Sequence, residues 1–180
     1  MRLMGTVELE TARLRLRRFQ EEDLESCLVN WAADETVFRY ISQEPRTRAE
    51  MEAFLAGAEE AYASPETCYW AIEEKEGRRV IGEIFVDDFS RRSGWCEVDY
   101  KLGSAFWGRG YASEALAAVL AYLFGQAGFH RVQAKCAAEN AASERVMQKA
   151  GMRREGVLRE FFLRKDGSGW DDVLLYAAVV

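Results

Sequence analysis

The chain alternates between two hydrophobic patterns, one with apolar residues at every second position and one with apolar residues three to four positions apart. The first pattern predicts half-buried strands and the second predicts amphipathic helices. Leu14 and Leu16 alternate with arginines, for example, whereas Leu116, Val119 and Leu123 fall on one face of a helix. The predicted strands are residues 12–18, 68–73, 79–87, 93–102, 130–138, 153–165 and 170–179, and the predicted helices begin at Gln20, Thr47, Arg109 and Asn140.

The resulting element order is β-α-α-β-β-β-α-β-α-β-β, which predicts an α/β domain with a mixed sheet. The chain has 180 residues, a length that favours one domain with a sizeable core. No linker, internal repeat or low-complexity stretch interrupts the sequence, so residues 1–180 are predicted to form a single domain.

Composition and charge exclude several classes of function. The formal charge of −6 comes from 24 basic and 30 acidic residues, so nucleic acid is not predicted as a partner. This balance favours an amine substrate, although a solvated surface explains it equally well. Arg2 is followed by no continuous apolar run before Glu8, and no apolar run is long enough to span a membrane. With four separated cysteines and one histidine, the chain is predicted to be cytoplasmic, with reduced thiols and no metal site.

The segment from Phe106 to Ala115 carries the first candidate chemistry. Gly108 and Gly110 lie where a strand-like run gives way to an amphipathic helix, and glycine lets the backbone approach a ligand closely. The first N–H groups of a helix lack internal partners and carry partial positive charge, so this junction predicts an anion site suited to a pyrophosphate. The spacing fits neither a P-loop nor a dinucleotide fingerprint. An ordinary glycine-rich turn is the alternative for this segment by itself.

A second segment, Asn140 to Met152, follows another strand-like run. Together the two segments resemble the GNAT superfamily of acetyl-CoA-dependent N-acetyltransferases, in which a Gln/Arg-x-x-Gly-x-Gly/Ala turn precedes a later Asn-opened helix that ends in Lys-x-Gly-Phe. Trp107 to Ala112 matches the turn, with Trp107 at the Gln/Arg position, and the second segment matches the helix, with Met152 in place of Phe. The run Trp-Gly-Arg-Gly-Tyr-Ala, residues 11–17 and residues 155–159 are typical of the branch that contains ribosomal-protein N-terminal acetyltransferases.

The resemblance implies a fold and a cofactor. It implies a mixed, mostly antiparallel sheet with flanking helices, in which strands 93–102 and 130–138 splay apart and admit the pantetheine arm of acetyl-CoA. Open strand edges supply the unpaired N–H and C=O groups that such an arm requires. The implied cofactor-binding residues are Tyr100, Leu102, Trp107, Gly108, Arg109, Gly110, Tyr111, Ala112, Ser113, Asn140 and Ser143.

N-acetylation requires a group that accepts the amine proton, and one predicted strand carries candidates for it. Glu97, Asp99 and Lys101 share one face of strand 93–102 because side chains alternate along a strand. The resemblance points to Glu97 as the base, directly or through water, with Asp99 as the second candidate. A salt-bridged face, in which Lys101 pairs with Asp99, is the alternative interpretation of the same pattern.

Asn140 and Ser143 lie at the start of the last predicted helix. Asn is among the best helix caps, which explains Asn140 without catalysis, and the resemblance adds a contact with the pantetheine arm or an ordered water. The resemblance makes Ser143 a hydrogen-bond donor to the CoA sulfur and the catalytic acid, with a surface or capping hydroxyl as the alternative. Many family members use a Tyr four positions later, where this chain has Met147, which cannot donate a proton.

The implied function is direct transfer of an acetyl group to a primary amine of a protein N-terminus or a small molecule, by a monomer or homodimer. No cysteine has a histidine partner nearby in sequence, so a covalent acyl-enzyme is not predicted. The alternatives are an enzyme with another acyl-CoA donor and a domain that binds acyl-CoA without turnover. The acceptor pocket is expected around Trp31, Phe38, Tyr40 and Trp70.

Overall fold

A computed structural model of the protein describes residues 4–180. The strands are β1 Leu9–Glu10, β2 Leu14–Arg17, β3 Tyr69–Glu74, β4 Arg79–Ser90, β5 Trp95–Leu102, β6 Arg131–Ala137, β7 Arg153–Leu163 and β8 Trp170–Val179. The helices are α1 Leu24–Cys27, which continues into a π-helical turn over Leu28–Ala32, α2 Arg48–Ala61, α3 Tyr111–Gly125 and α4 Ala141–Lys149. Residues 1–3, which include Arg2 and the beginning of the predicted 1–180 domain, lie outside the described residues.

All eight strands form one sheet in the order β1-β2-β3-β4-β5-β6-β8-β7. Neighbouring strands are antiparallel except for β5 and β6, which run parallel. Two hydrophobic cores cover the sheet: α1 and α2 contribute to one, with Ala71, and α3 and α4 contribute to the other, with Trp70 and Ile72. Successive residues of β3 join different cores because side chains alternate along a strand. The predicted α/β class, with a mixed and mostly antiparallel sheet and flanking helices, is confirmed.

The predicted elements agree with the structure except near their ends. α3 and α4 begin one residue after Gly110 and Asn140, which are N-caps, so the helix predicted to begin at Arg109 was too long. Thr47 likewise caps α2 and forms a capping box with Glu50. β1 was not predicted, because its two residues are too few to show an alternation. No helix within residues 4–180 combines the length and the hydropathy needed to cross a membrane.

β5 and β6 stay paired for only a short distance, from Trp95 opposite Arg131 to Glu97 opposite Gln133. Beyond Glu97 the two strands separate, although both continue. β5 keeps its ladder with β4, and β6 keeps its ladder with β8. The predicted splayed pair is therefore confirmed, and the backbone groups along the facing edges have no strand partner within residues 4–180.

Gly82 of β4 lies opposite Leu102, at the end of β5 that borders the separation. A Cβ added at Gly82 would lie 2.2 Å from the carbonyl oxygen of Lys101 and 3.0 Å from the Cα of Leu102. Both are backbone atoms, so β5 could not move aside without disturbing its ladder with β4. Glycine is required here because the two backbones approach closely.

Gly82→Ala is expected to lower the free energy of unfolding by about 1–3 kcal/mol, because the added methyl group overpacks against backbone. Urea denaturation measures the change. Gly57→Ala is the matched control, since a Cβ at this position in α2 meets no atom within 4 Å. The control should raise the free energy of unfolding by about 0.5–1 kcal/mol. A Gly82→Ala protein as stable as the wild type would contradict the close approach.

Candidate functional site

A cavity of about 500 Å³ opens where β5 and β6 separate. Residues 99–102 of β5 and residues 135–136 of β6 line it, together with the beginnings of α3 and α4. Its wall contains all but one of the predicted cofactor-binding residues: Tyr100, Leu102, Trp107, Gly108, Gly110, Tyr111, Ala112, Ser113, Asn140 and Ser143. The exception is Arg109, which does not line the cavity.

The loop before α3 forms one end of the cavity. Gly108 and Gly110 have φ angles of +74° and +83°, left-handed values that residues with side chains rarely adopt. Gly110 is the N-cap of α3, and it has no side chain with which to cap the first N–H groups. The first turn, Tyr111 to Ser113, lines the cavity, so the positive end of a 15-residue helix borders it. Such a helix start is suited to binding a phosphate.

Two contacts that were not predicted hold this loop in place. Arg13, just before β2, donates to the carbonyl oxygen of Arg109 at 2.9 Å and forms an ion pair with Glu114 at 2.6 Å. Trp107 Nε1 donates to the carbonyl oxygen of Leu102 at 2.6 Å and so ties the loop to the end of β5. Residues 11–17 and the segment from Phe106 to Ala115 were both identified in the sequence. Because they are far apart along the chain, nothing in the sequence indicated that they are in contact.

The start of α4 brings three polar residues together. Asn140 Oδ1 accepts a hydrogen bond from the N–H of Ser143 at 3.1 Å, so the predicted cap is present. Ser143 Oγ lies 2.8 Å from Tyr100 Oη, and the carbonyl oxygen of Ser143 accepts a hydrogen bond from Tyr100 Oη at 3.1 Å. Burial raises the pKa of Tyr100, so its phenol is protonated at neutral pH. Met147, one turn further along α4, is fully buried.

Glu97 shares one face of β5 with Asp99 and Lys101, as predicted. It accepts a hydrogen bond from Gln133 Nε2 at 2.8 Å, and its other oxygen lies 2.8 Å from Lys135 Nζ. Only 6% of Glu97 is exposed, and it does not line the cavity. The predicted base is therefore a buried carboxylate that is hydrogen-bonded to Gln133 and ion-paired with Lys135.

Asp99 lies on the cavity wall beside two other carboxylates. One oxygen each from Asp99, Glu97 and Asp87, which lies at a bulge in β4, fall within 4.8 Å of one another. Burial, followed by the charges of Glu97 and Asp87, raises the pKa of Asp99 to about 6. The alternative of a salt-bridged face is correct in kind but not in its partners, because Lys101 Nζ pairs with the fully buried Glu83 at 2.5 Å and not with Asp99. A pKa of about 6 lies nearer to neutral pH than that of an ordinary Asp, which suits a carboxylate for proton transfer.

Comparison with known proteins agrees with this geometry. The family model of the Acetyltransferase (GNAT) domain matches residues 13–153. The chain belongs to the GNAT acetyltransferase family. The matched range of this GNAT protein contains both the loop before α3 and the start of α4.

Individual relatives support the same activity. The GNAT chain is 30% identical to the uncharacterized N-acetyltransferase YoaA of Bacillus subtilis (strain 168) over 164 residues, which cover 91% of this chain and 92% of YoaA. It is 26% identical to the ribosomal protein uS5-alanine N-acetyltransferase of Escherichia coli (strain K12) over 124 residues, which cover 68% of this chain and 63% of that enzyme. The crystal structure of an acetyltransferase (GNAT family) from Bacillus anthracis superposes with a TM-score of 0.83 at 27% identity, covering 96% of this chain and 98% of that one. The GNAT protein is accordingly an N-acetyltransferase.

The acceptor side of the GNAT protein differs from the sequence-based expectation. Trp31 and Trp70 are fully buried in the cores and do not line the cavity, whereas Phe38, although buried, lines a smaller pocket that shares Thr36 and Arg39 with it. Large aromatic side chains fill the space between sheet and helices, and burial of that surface stabilises the fold. Tyr40 does line the cavity, as its neighbour Ile41 does.

Proposed function

We propose that this GNAT protein transfers the acetyl group of acetyl-CoA directly to a primary amine within a ternary complex. The observation that carries the proposal is the separation of β5 from β6 beside the start of α3. Separated strand edges can pair with the amides of a pantetheine arm, and the helix start can bind the pyrophosphate. Both features border one cavity of about 500 Å³, so a single cofactor molecule can contact both.

Direct attack is favoured over an acyl-enzyme by the state of the nearest thiol. Cys136 of β6 lines the cavity, and it is the cysteine best placed to meet a thioester there. Burial raises the pKa of Cys136 to about 11, so at neutral pH it is a thiol and a poor nucleophile. The acceptor amine is thus the nucleophile that attacks the acetyl carbonyl.

Asp99 is the group to which we assign the base, ahead of the predicted Glu97. Asp99 lines the cavity whereas Glu97 does not. Glu97 is ion-paired with Lys135 at 2.8 Å, whereas the neighbours of Asp99 include two further carboxylates. A carboxylate with a pKa of about 6 holds a proton more readily than an ordinary one and still ionises below pH 7. The role that this leaves for Glu97 is to raise the pKa of Asp99 by its charge.

The bond changes of the reaction balance without a further reactant. The ammonium of the acceptor gives one proton to Asp99 and becomes a neutral amine. The amine attacks the carbonyl carbon, the C–S bond breaks, and its electron pair leaves on the sulfur. The nitrogen then loses a second proton, and the CoA thiolate takes one up. The products are the amide, the CoA thiol and a protonated Asp99, which returns its proton to water.

Turnover tests the proposed function. Acetyl-CoA is supplied with a panel of amines that includes an alanine-initiated peptide, a polyamine and an amino sugar, and thiol release and product mass are measured. The peptide is included because the relative from Escherichia coli is named for an alanine of a ribosomal protein. The proposal is supported if CoA thiol is released only when an amine is present and in the same amount as the acetylated amine that forms. Binding of acetyl-CoA without release favours a binding domain, and faster release from succinyl-CoA favours another donor.

Asp99→Asn should lower kcat by about 10²-fold or more, because loss of a general base has an effect of this order. In the wild type, kcat/KM should rise with pH through about 6, where Asp99 loses its proton.

The raised pKa of Asp99 also means that the free energy of unfolding falls as pH rises through about 6, because the folded protein then holds a partly desolvated charge. Asp99→Asn should therefore melt at the same temperature as the wild type, or higher, above pH 7.

Glu97→Gln is the matched control for this prediction. If Glu97 acts by its charge on Asp99, the variant keeps most of its kcat, and the acid limb of the pH profile moves to lower pH. Two results together would return the role of base to Glu97. One is a loss of kcat in Glu97→Gln as large as that expected of Asp99→Asn, and the other is an active Asp99→Asn protein.

A further inference from the structure

A pair of hydroxyl groups on the cavity wall has no part in the proton transfers described above. Tyr100 reaches from β5 to the start of α4, where its Oη lies 2.8 Å from Ser143 Oγ and 3.1 Å from the Ser143 carbonyl oxygen. Both residues line the cavity. The bond from the Ser143 N–H to Asn140 Oδ1 at 3.1 Å holds this turn of α4 from the other side. The two hydroxyl oxygens are therefore fixed relative to one another.

The hydrogen atoms of this pair allow two arrangements. A carbonyl oxygen can only accept, so when Tyr100 donates to the carbonyl of Ser143, the serine hydroxyl can donate to Tyr100 Oη. When Tyr100 donates instead to Ser143 Oγ, the serine hydrogen is free to point into the cavity. Both oxygen–oxygen distances are hydrogen-bond distances, so the change between the two arrangements moves hydrogens only.

We propose that Tyr100 is a positioning residue that turns the Ser143 hydroxyl toward the departing CoA sulfur. This inference rests on the proposed acetyl transfer. As the C–S bond breaks, the negative sulfur attracts the serine O–H, and the Tyr100 O–H moves from the carbonyl oxygen to Ser143 Oγ. The thiolate thereby gains a charge-assisted hydrogen bond from a hydroxyl that is itself hydrogen-bonded, and such chains strengthen one another. Tyr100 keeps its own proton throughout.

The surroundings of Tyr100 suit this role. Burial raises the pKa of its phenol, so the hydrogen is present across the working pH range. Met147, one turn further along α4, carries no hydrogen that it could donate and is fully buried. Cys136 has its own pKa raised to about 11 by burial and is a weak donor. The pair of Tyr100 and Ser143 is therefore a stronger neutral donor than either Met147 or Cys136.

The pKa of the thiol of bound CoA tests the inference without turnover. Protein saturated with CoA is titrated by the ultraviolet absorbance of the thiolate, with protein alone as the blank. The cysteines of the protein interfere little below pH 10, because burial raises their pKa values to about 11 or about 12. The bound thiol is expected to have a pKa about 1 lower in the wild type than in Tyr100→Phe. Ser143→Ala should raise the pKa of the bound thiol at least as much as Tyr100→Phe, and the double variant should match Ser143→Ala, because Tyr100 acts through Ser143.

Turnover gives a second readout. Tyr100→Phe keeps the ring and should lower kcat by about tenfold while it changes the Kd of acetyl-CoA by less than about twofold. In the Ser143→Ala background, the same substitution should cause no further loss. Tyr122→Phe is the matched control, because it removes another buried phenol-to-carbonyl hydrogen bond, to Gly5 at 3.0 Å, away from the cavity. Its kcat should equal that of the wild type.

Two results would overturn the role of Tyr100. One is a bound thiol with the same pKa in the wild type and in Tyr100→Phe. The other is an equal loss of kcat from Tyr100→Phe in both Ser143 backgrounds, which indicates a structural effect. Failure of the proposed acetyl transfer gives a different result. The pKa of the bound CoA thiol then still differs between the wild type and Tyr100→Phe, but no amine in the panel causes release of CoA from acetyl-CoA.

Discussion

The separation of β5 from β6 is the constraint on which the rest of the site depends. The two strands pair only as far as Glu97 and Gln133, and each then stays in the sheet through its other neighbour. A sheet that kept the pair closed would satisfy more backbone groups internally, but it would have no cavity between the strand ends. Because β4 and β8 hold the two strands independently, the gap can stay open without loss of the fold.

The alternation of side chains along β5 divides the proposed chemistry between two faces. Asp99 and Tyr100 are adjacent in sequence, but their side chains leave the strand on opposite sides. Burial and the charges of neighbouring carboxylates raise the pKa of Asp99, and Tyr100 contacts the first turn of α4. A thioester in the gap would have a proton acceptor on one side and the hydroxyl pair on the other. The buried pair of Lys101 and Glu83, at 2.5 Å, supports this strand from β4.

Local sequence patterns were sufficient to predict most of the strands and helices, and the loop before α3 that borders the cavity. Glycine turns, helix caps and strand alternation act within a few residues, so the loop before α3, the cap at Asn140 and the charged face of β5 could all be predicted. The rest depends on contacts between distant segments. The link between Arg13 and Glu114 and the burial of Trp31 depend on how the elements pack, and hydrophobic periodicity does not encode that packing. The choice between two neighbouring carboxylates was open for the same reason, since burial and partners distinguish them.

Hydrogen–deuterium exchange of the backbone amides with and without CoA is the measurement that tests the central claim most directly. If CoA lies in the gap with its pyrophosphate at the start of α3, exchange should slow within residues 98–113 and 134–143. At the same CoA concentration, Ala112→Asp should lose this protection, because it places a negative charge beside the phosphates, although an acid in the first turn favours the helix itself. Ala112→Asn, of equal size and without the charge, should keep the protection. Unchanged exchange in these segments at saturating CoA, or protection confined to other parts of the sheet, would contradict the account.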